Sequence, residues 1–315
     1  MLGFSGLTEA VPTNACLLYI MKKVKFNWFA LAIFIFPILA NAQGNWENCA
    51  IGDTCFMVPS KDTELAVSLF RSELAVKSAT LVIMHGAGKF DRKDYAPLAQ
   101  KMRNLGYNVI IFDKRGTGQS TGKFLEIHIS NAEEVFTLLA ADVVAIIRHL
   151  KNIPGMTSDP VGLVATSQGG WIFPKVAQMA AEVKFAISLS GPAVSFGEEV
   201  YYSKLTGDEK PFVENNKAVD FEATHQNVKN FKGRKGFDPG TDLLKLDIPV
   251  LWIYGQQDKS IPVLLCLEKI EQLKKDNFKV LLYPEANHSL VNVKTQKVED
   301  YLKEVKKWID SIAFF

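Results

Sequence analysis

Val161-Gly-Leu-Val-Ala-Thr-Ser-Gln-Gly-Gly170 is the stretch on which the fold turns. Val161 to Ala165 is a short apolar run with Asp159-Pro160 before it and glycines after it, which predicts a strand buried on both faces. Ser167 follows in a turn of small residues, and the apolar spacing from Trp171 to Ala180 predicts a helix. Strand, tight turn, serine and helix are the layout of a nucleophile elbow, in which backbone strain lifts a hydroxyl above the edge of a sheet. The usual pattern is Gly-x-Ser-x-Gly. Here Ala165 takes the first place, a small-for-small change, and Gly169 keeps helix and strand close. A serine between small residues is a weak signal alone, because ordinary strand-to-helix turns also produce one. Its weight comes from what precedes and follows it.

Outward from the elbow, strands are expected at Leu65 to Arg71, Thr80 to Met84, Asn108 to Asp113, Phe185 to Leu189, Pro249 to Tyr254 and Phe278 to Tyr283. Helices are expected at Tyr95 to Leu105 with Asp94 as cap and Gly106 as stop, at Ala132 to Leu150, at Pro262 to Lys275 and at Lys297 to Ile312. Strands alternating with helices imply right-handed crossovers and a mainly parallel central sheet flanked by helices, an α/β fold. Ligands of such sheets bind beyond the carboxyl ends of the strands. Between Ser195 and Asp247 the rhythm breaks. That stretch is polar and charged, carries no apolar strand, and scatters Tyr201, Tyr202, Phe212, Phe221 and Phe231. An insert of this length at a strand's carboxyl end is expected to be a helical cap or lid at residues 195–247, set between core segments 43–194 and 248–315; the alternative is an embellishment remote from the site.

The chain has 315 residues, 48% hydrophobic and 22% charged, enough for one large domain with an insert. Met21-Lys-Lys-Val-Lys25 is a basic start, Phe26 to Leu39 is almost wholly apolar, and Ala40-Asn-Ala42 is a small-x-small cleavage signal. Residues 1–42 are therefore expected to be a secretory signal with an over-extended start, the mature chain beginning near Gln43 in the periplasm or outside the cell. An uncut anchor is the alternative, although the apolar run is short for a membrane span. Cleavage removes three lysines and one glutamate and takes the formal net charge from +2 to 0, which leaves no electrostatic handle for nucleic acid. Cys49 and Cys55 are expected to form a local disulfide in an oxidising compartment, and Cys266, in an apolar segment, to be a core residue. Neither a CxxC nor a Cys/His cluster with metal spacing occurs, so no metal site is expected.

A serine hydroxyl needs a neighbouring base to take its proton, and the base needs a partner to orient it. Of the histidines, His85, His128 and His149 precede Ser167, and His225 falls in the expected cap, where a surface role is the default. His288, in Glu285-Ala-Asn-His-Ser289 after the last strand, is the expected base. Asp258 ends the strand between serine and histidine, in Tyr254-Gly-Gln-Gln-Asp258, and is the expected acid; Asp242 and Asp247 lie at the wrong end of that strand, and Glu285 is too near His288. Met84-His-Gly-Ala-Gly88, directly after a strand, supplies the Ala87 amide, which with the Gln168 amide forms the expected oxyanion pair. His85 is then expected to hydrogen-bond its loop, and His149 to complement a helix dipole. Asp113-Lys-Arg-Gly-Thr-Gly-Gln-Ser120 lacks both the Walker and the dinucleotide spacing of glycines, so an ordered turn with Arg115 in an ion pair is expected there.

Taken together, His85-Gly-Ala-Gly, Asp91-Arg92, Asp113-Lys-Arg-Gly-Thr-Gly-Gln-Ser, Thr166-Ser-Gln-Gly-Gly-Trp171, Ser190-Gly-Pro, Tyr254-Gly-x-x-Asp258 and Asn287-His288 make the chain, from about Leu65 onward, resemble an α/β-hydrolase of the serine-esterase and serine-aminopeptidase-like kind. The resemblance implies a Ser167–Asp258–His288 triad, no cofactor, and hydrolysis of a small-molecule ester or amide. Its departures are Ala165 and a cap segment that matches no pattern. Esterase is the first expectation. A peptidase or amidase on the same triad is the second, with Glu198, Glu199 or Glu214 available to bind a substrate ammonium, and a non-catalytic binding scaffold is the third.

Overall fold

The computed structural model describes residues 49–74, 79–156, 159–208 and 219–312; the expected signal segment and the cap residues Phe212 and Glu214 lie outside them. The strands are β1 (Thr54–Ser60), β2 (Thr63–Phe70), β3 (Thr80–Met84), β4 (Asn108–Phe112), β5 (Val161–Thr166), β6 (Val183–Leu189), β7 (Val250–Gly255) and β8 (Phe278–Tyr283). They form one sheet in the order β1-β2-β4-β3-β5-β6-β7-β8. The β1–β2 and β2–β4 pairs are antiparallel, and every later pair is parallel.

The central strands β3 and β7 are buried at every residue, as continuous apolar runs in a two-sided sheet must be. On one face α1 (Arg92–Asn104) and α8 (Tyr301–Ser311) press Ala99, Met102, Val305 and Trp308 against the sheet. On the other, α2 (Ala132–His149), α3 (Gly169–Met179) and α7 (Val263–Gln272) contribute Phe136, Val143, Trp171, Phe173 and Cys266. Each fully buried aliphatic or aromatic side chain of this kind contributes roughly 1.5–3 kcal/mol.

Register decides where the site falls. Met84 pairs with Ala165, Thr166 with Leu189, Leu189 with Ile253, and Gly255 with Tyr283. The carboxyl ends of β3, β5, β6, β7 and β8 are thus neighbours along one edge, and the loops that leave them share a small volume. The 195–247 segment carries α4 (Phe196–Thr206), α5 (Phe221–Lys229) and α6 (Gly240–Leu244) and, among the described residues, no strand. Tyr201 stacks on Phe231 within it at 4.9 Å, while Phe196 and Phe237 meet the Phe136 ring of α2 edge-on.

Some boundaries differ from expectation, each for a local reason. Helix α1 begins three residues early because Asp91, not Asp94, is its cap. Asp91 accepts from the Lys93 amide, and Asp94 reaches back to the Asp91 amide in a capping box, a polar first turn that apolar periodicity cannot register. Helix α8 starts only at Tyr301, since Val298 is taken by a bridge to Val291. Strand β1 was not expected. It is an edge strand whose burial alternates, and its second residue, Cys55, is joined to Cys49 by a disulfide, which forms as the spacing predicts. Cys266 is free and fully buried, its thiol pushed up to about 12 by burial.

Candidate active site

The turn after β5 holds Ser167 at φ +46°, in the left-handed region that a side-chain-bearing residue rarely adopts. The surroundings enforce it: the Ser167 amide donates to the Leu189 carbonyl at 2.9 Å, and the Ser167 carbonyl accepts from the Gly170 amide at 2.7 Å as α3 begins. The unusual Ala165 fits because its partner across the turn is Gly169. A Cβ at 169 would stand 3.2 Å from the Ala165 Cβ, a tight contact that helix and strand would have to relieve by a small shift.

Asp258 and His288 meet at the ends of β7 and β8. Asp258 is fully buried, and its Oδ1 accepts from the Ser260 and Ile261 amides at 2.8 and 2.9 Å. Its Oδ2 stands 2.7 Å from His288 Nδ1, which leaves Nε2 as the ring nitrogen directed away from the acid. The loops that carry them are tied by main chain: the Gln257 amide donates to Ala286, and the Gln256 amide to Tyr283. Gly255 makes that approach possible, because a Cβ there would collide with the Ala286 and Asn287 carbonyls. Ser190 Oγ donates to the His288 carbonyl at 2.8 Å, and Tyr202 of α4 donates its hydroxyl to the Asp258 carbonyl at 2.6 Å. Burial would push His288 down, but the Asp258 charge, with Asp208 and Glu199 beyond it, holds it above the ordinary imidazole range.

Beside Ser167 runs the loop after β3. Gly86 donates its amide to the Tyr95 hydroxyl at 2.7 Å, and the Lys114 ammonium donates to the Gly86 carbonyl at 2.8 Å. Among the described residues, no group accepts from the amides of Ala87 or Gln168. Both therefore remain free to donate. His85 differs from expectation. It is held by stacking on Tyr95 at 4.1 Å and on Phe112 at 5.0 Å, and neither ring nitrogen finds a hydrogen-bond partner. Burial, with the nearby Lys114 charge, pushes it down to about 3, so it stays neutral and takes no part in proton transfer.

These groups open on one cleft of about 600 Å³, lined by Ser167, His288, Gly86 and Ala87 and floored by the apolar Phe90, Leu98, Leu189 and Leu290. It also carries acidic groups. Glu199 of α4 and Asp208 both line it, and Asp208 accepts from Ser260 Oγ at 2.7 Å. Burial pushes the Glu199 carboxyl up to about 8. Glu198 is turned elsewhere, into a capping box with Ser195 and an ion pair with Lys235 at 3.0 Å.

Two other histidines correct their expectations. His225 is buried rather than at the surface, 3.0 Å from Glu268; His149 stacks on Phe56 at 5.2 Å, and burial lowers it, so it serves packing more than the helix dipole. The Asp113–Ser120 turn is ordered as expected: Asp113 accepts from the Arg92 and Gln119 amides, both at 2.7 Å. Arg115 grips Asp142 through two bonds of 2.8 and 2.7 Å. Tyr95, Lys114, Tyr202 and Asp208 were not singled out by sequence. Each acts through a long-range contact that no local motif announces.

A strained hydroxyl, an imidazole oriented by a buried carboxylate and the Ala87 amide on one cleft, with the Gln168 amide next in chain to the hydroxyl, form a set suited to nucleophilic attack on a carbonyl. Comparison with known proteins bears on the fold. The family model described as serine aminopeptidase, S33, matches residues 75–217. The structure is similar to an esterase of Pyrococcus furiosus (TM-score 0.60, 18% identity, covering 81% of this chain and 89% of that one). It is similar also to a proline iminopeptidase of Mycobacterium smegmatis (TM-score 0.59, 16% identity, 81% and 97% covered) and to an alpha-beta serine hydrolase homologue from Coxiella burnetii (TM-score 0.52, 19% identity, 83% and 98% covered). No curated protein sequence matches the chain. Likeness at these identities carries the fold, and function has to be argued from the site.

Proposed function

We propose that the chain is an exported serine hydrolase of the α/β-hydrolase kind that cleaves carboxylic esters through an acyl-enzyme. The observation that carries this reading is the 2.7 Å contact from Asp258 to His288 on the cleft where Ser167 is held at positive φ. Ser167 Oγ attacks the acyl carbonyl as His288 Nε2 takes its proton, and the tetrahedral oxygen is received by the amides of Ala87 and Gln168. The alcohol leaves with the proton from His288. Water then enters, gives a proton to His288, and releases the acid from Ser167. The apolar floor suits the acyl chain.

The first test is labelling by a fluorophosphonate, followed by turnover of short p-nitrophenyl esters. Ser167→Ala is expected to abolish labelling and to lower turnover by several orders of magnitude with the fold intact. Near-normal hydrolysis by that variant would end the proposal. Export is supported by the basic-apolar-small sequence of residues 21–42 and by the Cys49–Cys55 disulfide, and is tested by fractionating cells that express the full chain.

A second reading has one observation in its favour. Glu199 and Asp208 place two carboxyl groups on the cleft that Ser167 lines, where a substrate ammonium would find both. An aminopeptidase would use them to hold a free amino terminus. Aminoacyl amides tested beside simple esters separate the two readings: in the aminopeptidase case, replacing Glu199 and Asp208 by their amides removes amide turnover and spares neutral esters.

A further inference from the structure

Lys114 grips the Gly86–Ala87 peptide at its carbonyl end. Its ammonium donates to the Gly86 carbonyl at 2.8 Å, and the side chain is buried. Among the described residues no carboxylate pairs with it, and the Phe124 ring lies beside it, 5.7 Å from the charge to the ring centroid. The adjacent Asp113 is committed to the Arg92 and Gln119 amides, and the adjacent Arg115 to Asp142 and Asp62. A lysine buried without a counter-ion is costly and holds its proton less firmly. Burial pushes it down to about 8, which still leaves it an ammonium at neutral pH.

A trans peptide carries its C=O and its N–H on opposite sides. A cation fixed to the Gly86 oxygen therefore presents the Ala87 N–H the other way, and Ala87 lines the cleft with Ser167. The cation also draws electron density through the amide, which raises the positive charge on that N–H, as chained hydrogen bonds polarise one another in a low dielectric. Tyr95 anchors the preceding peptide by accepting from the Gly86 amide. A neutral donor would have met the structural need at lower desolvation cost. The retained charge needs another reason.

We propose that Lys114 is a positioning residue for the oxyanion site: its buried charge on the Gly86 carbonyl orients and polarises the peptide whose N–H, at Ala87, receives the developing negative charge. The inference rests on the ester-hydrolase reading for the identity of that anion; the polarised peptide itself is a matter of geometry.

Gly86–Ala87 is the one Gly–Ala pair in the sequence, so protein labelled at the glycine carbonyl carbon and the alanine nitrogen gives a single correlated amide signal. Lys114→Met keeps the stem and removes the charge; it is expected to move the Ala87 amide proton upfield, and Lys114→Arg to move it part of the way back. In Lys114→Met, kcat counted per fluorophosphonate-titrated serine is expected to fall about 10- to 100-fold with KM unchanged, somewhat less than outright loss of one oxyanion donor. Counting per titrated serine removes any unfolded fraction. An Ala87 signal that stays in place, or a kcat per titrated serine equal to that of the wild type, overturns the proposal. If wild-type protein takes up no fluorophosphonate while the Ala87 proton still follows the charge at 114, the ester-hydrolase reading fails and the polarised peptide stands.

Discussion

His288 presents Nδ1 to Asp258 Oδ2 at 2.7 Å, and the other oxygen of that buried carboxylate is already held by the amides of Ser260 and Ile261. The acid is therefore locked before the base meets it. Asp258→Asn keeps an oxygen for the two amides but sets an N–H or a misplaced oxygen against His288, which favours the wrong tautomer. The expected result is a loss of about 10⁴ in kcat with little change in melting temperature. Asp258→Ala, by contrast, strands two buried donors and should cost about 1–3 kcal/mol for each in denaturant unfolding.

The acidic groups around His288 set the pH dependence. The base must be neutral to act, and the negative charge of Asp258 first, with that of Asp208, favours its protonated form. kcat/KM should thus rise with pH along a limb placed above the ordinary histidine range. Removing a negative charge weakens the imidazolium, so Asp208→Asn should move the midpoint of that limb to lower pH. A pH–rate profile on a neutral ester decides it; a midpoint that does not move contradicts the assignment.

Arg115 and Asp142 form a buried two-bond pair, with Ser60 donating to Asp142 at 2.7 Å. Arg115→Met leaves a buried carboxylate without its cation, and unfolding in urea should show a loss of about 3–5 kcal/mol. Combining it with Asp142→Leu should recover most of that loss.

Ala165 and Gly169 should behave as a coupled pair. Ala165→Gly restores the usual elbow glycine and should cost roughly 0.5–1 kcal/mol, the ordinary penalty of glycine in a strand, with catalysis unchanged. Gly169→Ala should destabilise the native sequence more than it destabilises the Ala165→Gly background, because its new methyl meets the Ala165 Cβ at 3.2 Å. A double-mutant cycle measures the difference.

Much of the fold was legible in the sequence. A strand buried on both faces writes itself as an apolar run, so β3 matches its expected limits to the residue, and the part-exposed edge strand β8 matches its limits as well. The edge strand β1 was missed because half its residues face solvent and dilute the pattern. Ser167, Asp258 and His288 were picked out through chain order around expected strands, and the structure brings Asp258 and His288 into contact and Ser167 and His288 onto one cleft. Tyr95, Lys114 and Asp208 were not legible. What matters about each is a partner brought close by the sheet, such as Gly86 for Lys114, twenty-eight positions away. His85 and His225 were misjudged for a related reason, since stacking and burial leave no mark in a local window.

The bonds from Gln256 to Tyr283 and from Gln257 to Ala286 join the loops behind the acid and the base backbone to backbone. A splint made of amides and carbonyls does not care which side chains ride on it, glycine at 255 aside. The surface residues of these two loops can therefore drift over evolutionary time while the pair they carry keeps its spacing, and lineages that have lost almost all recognisable wording there can still share the same machinery.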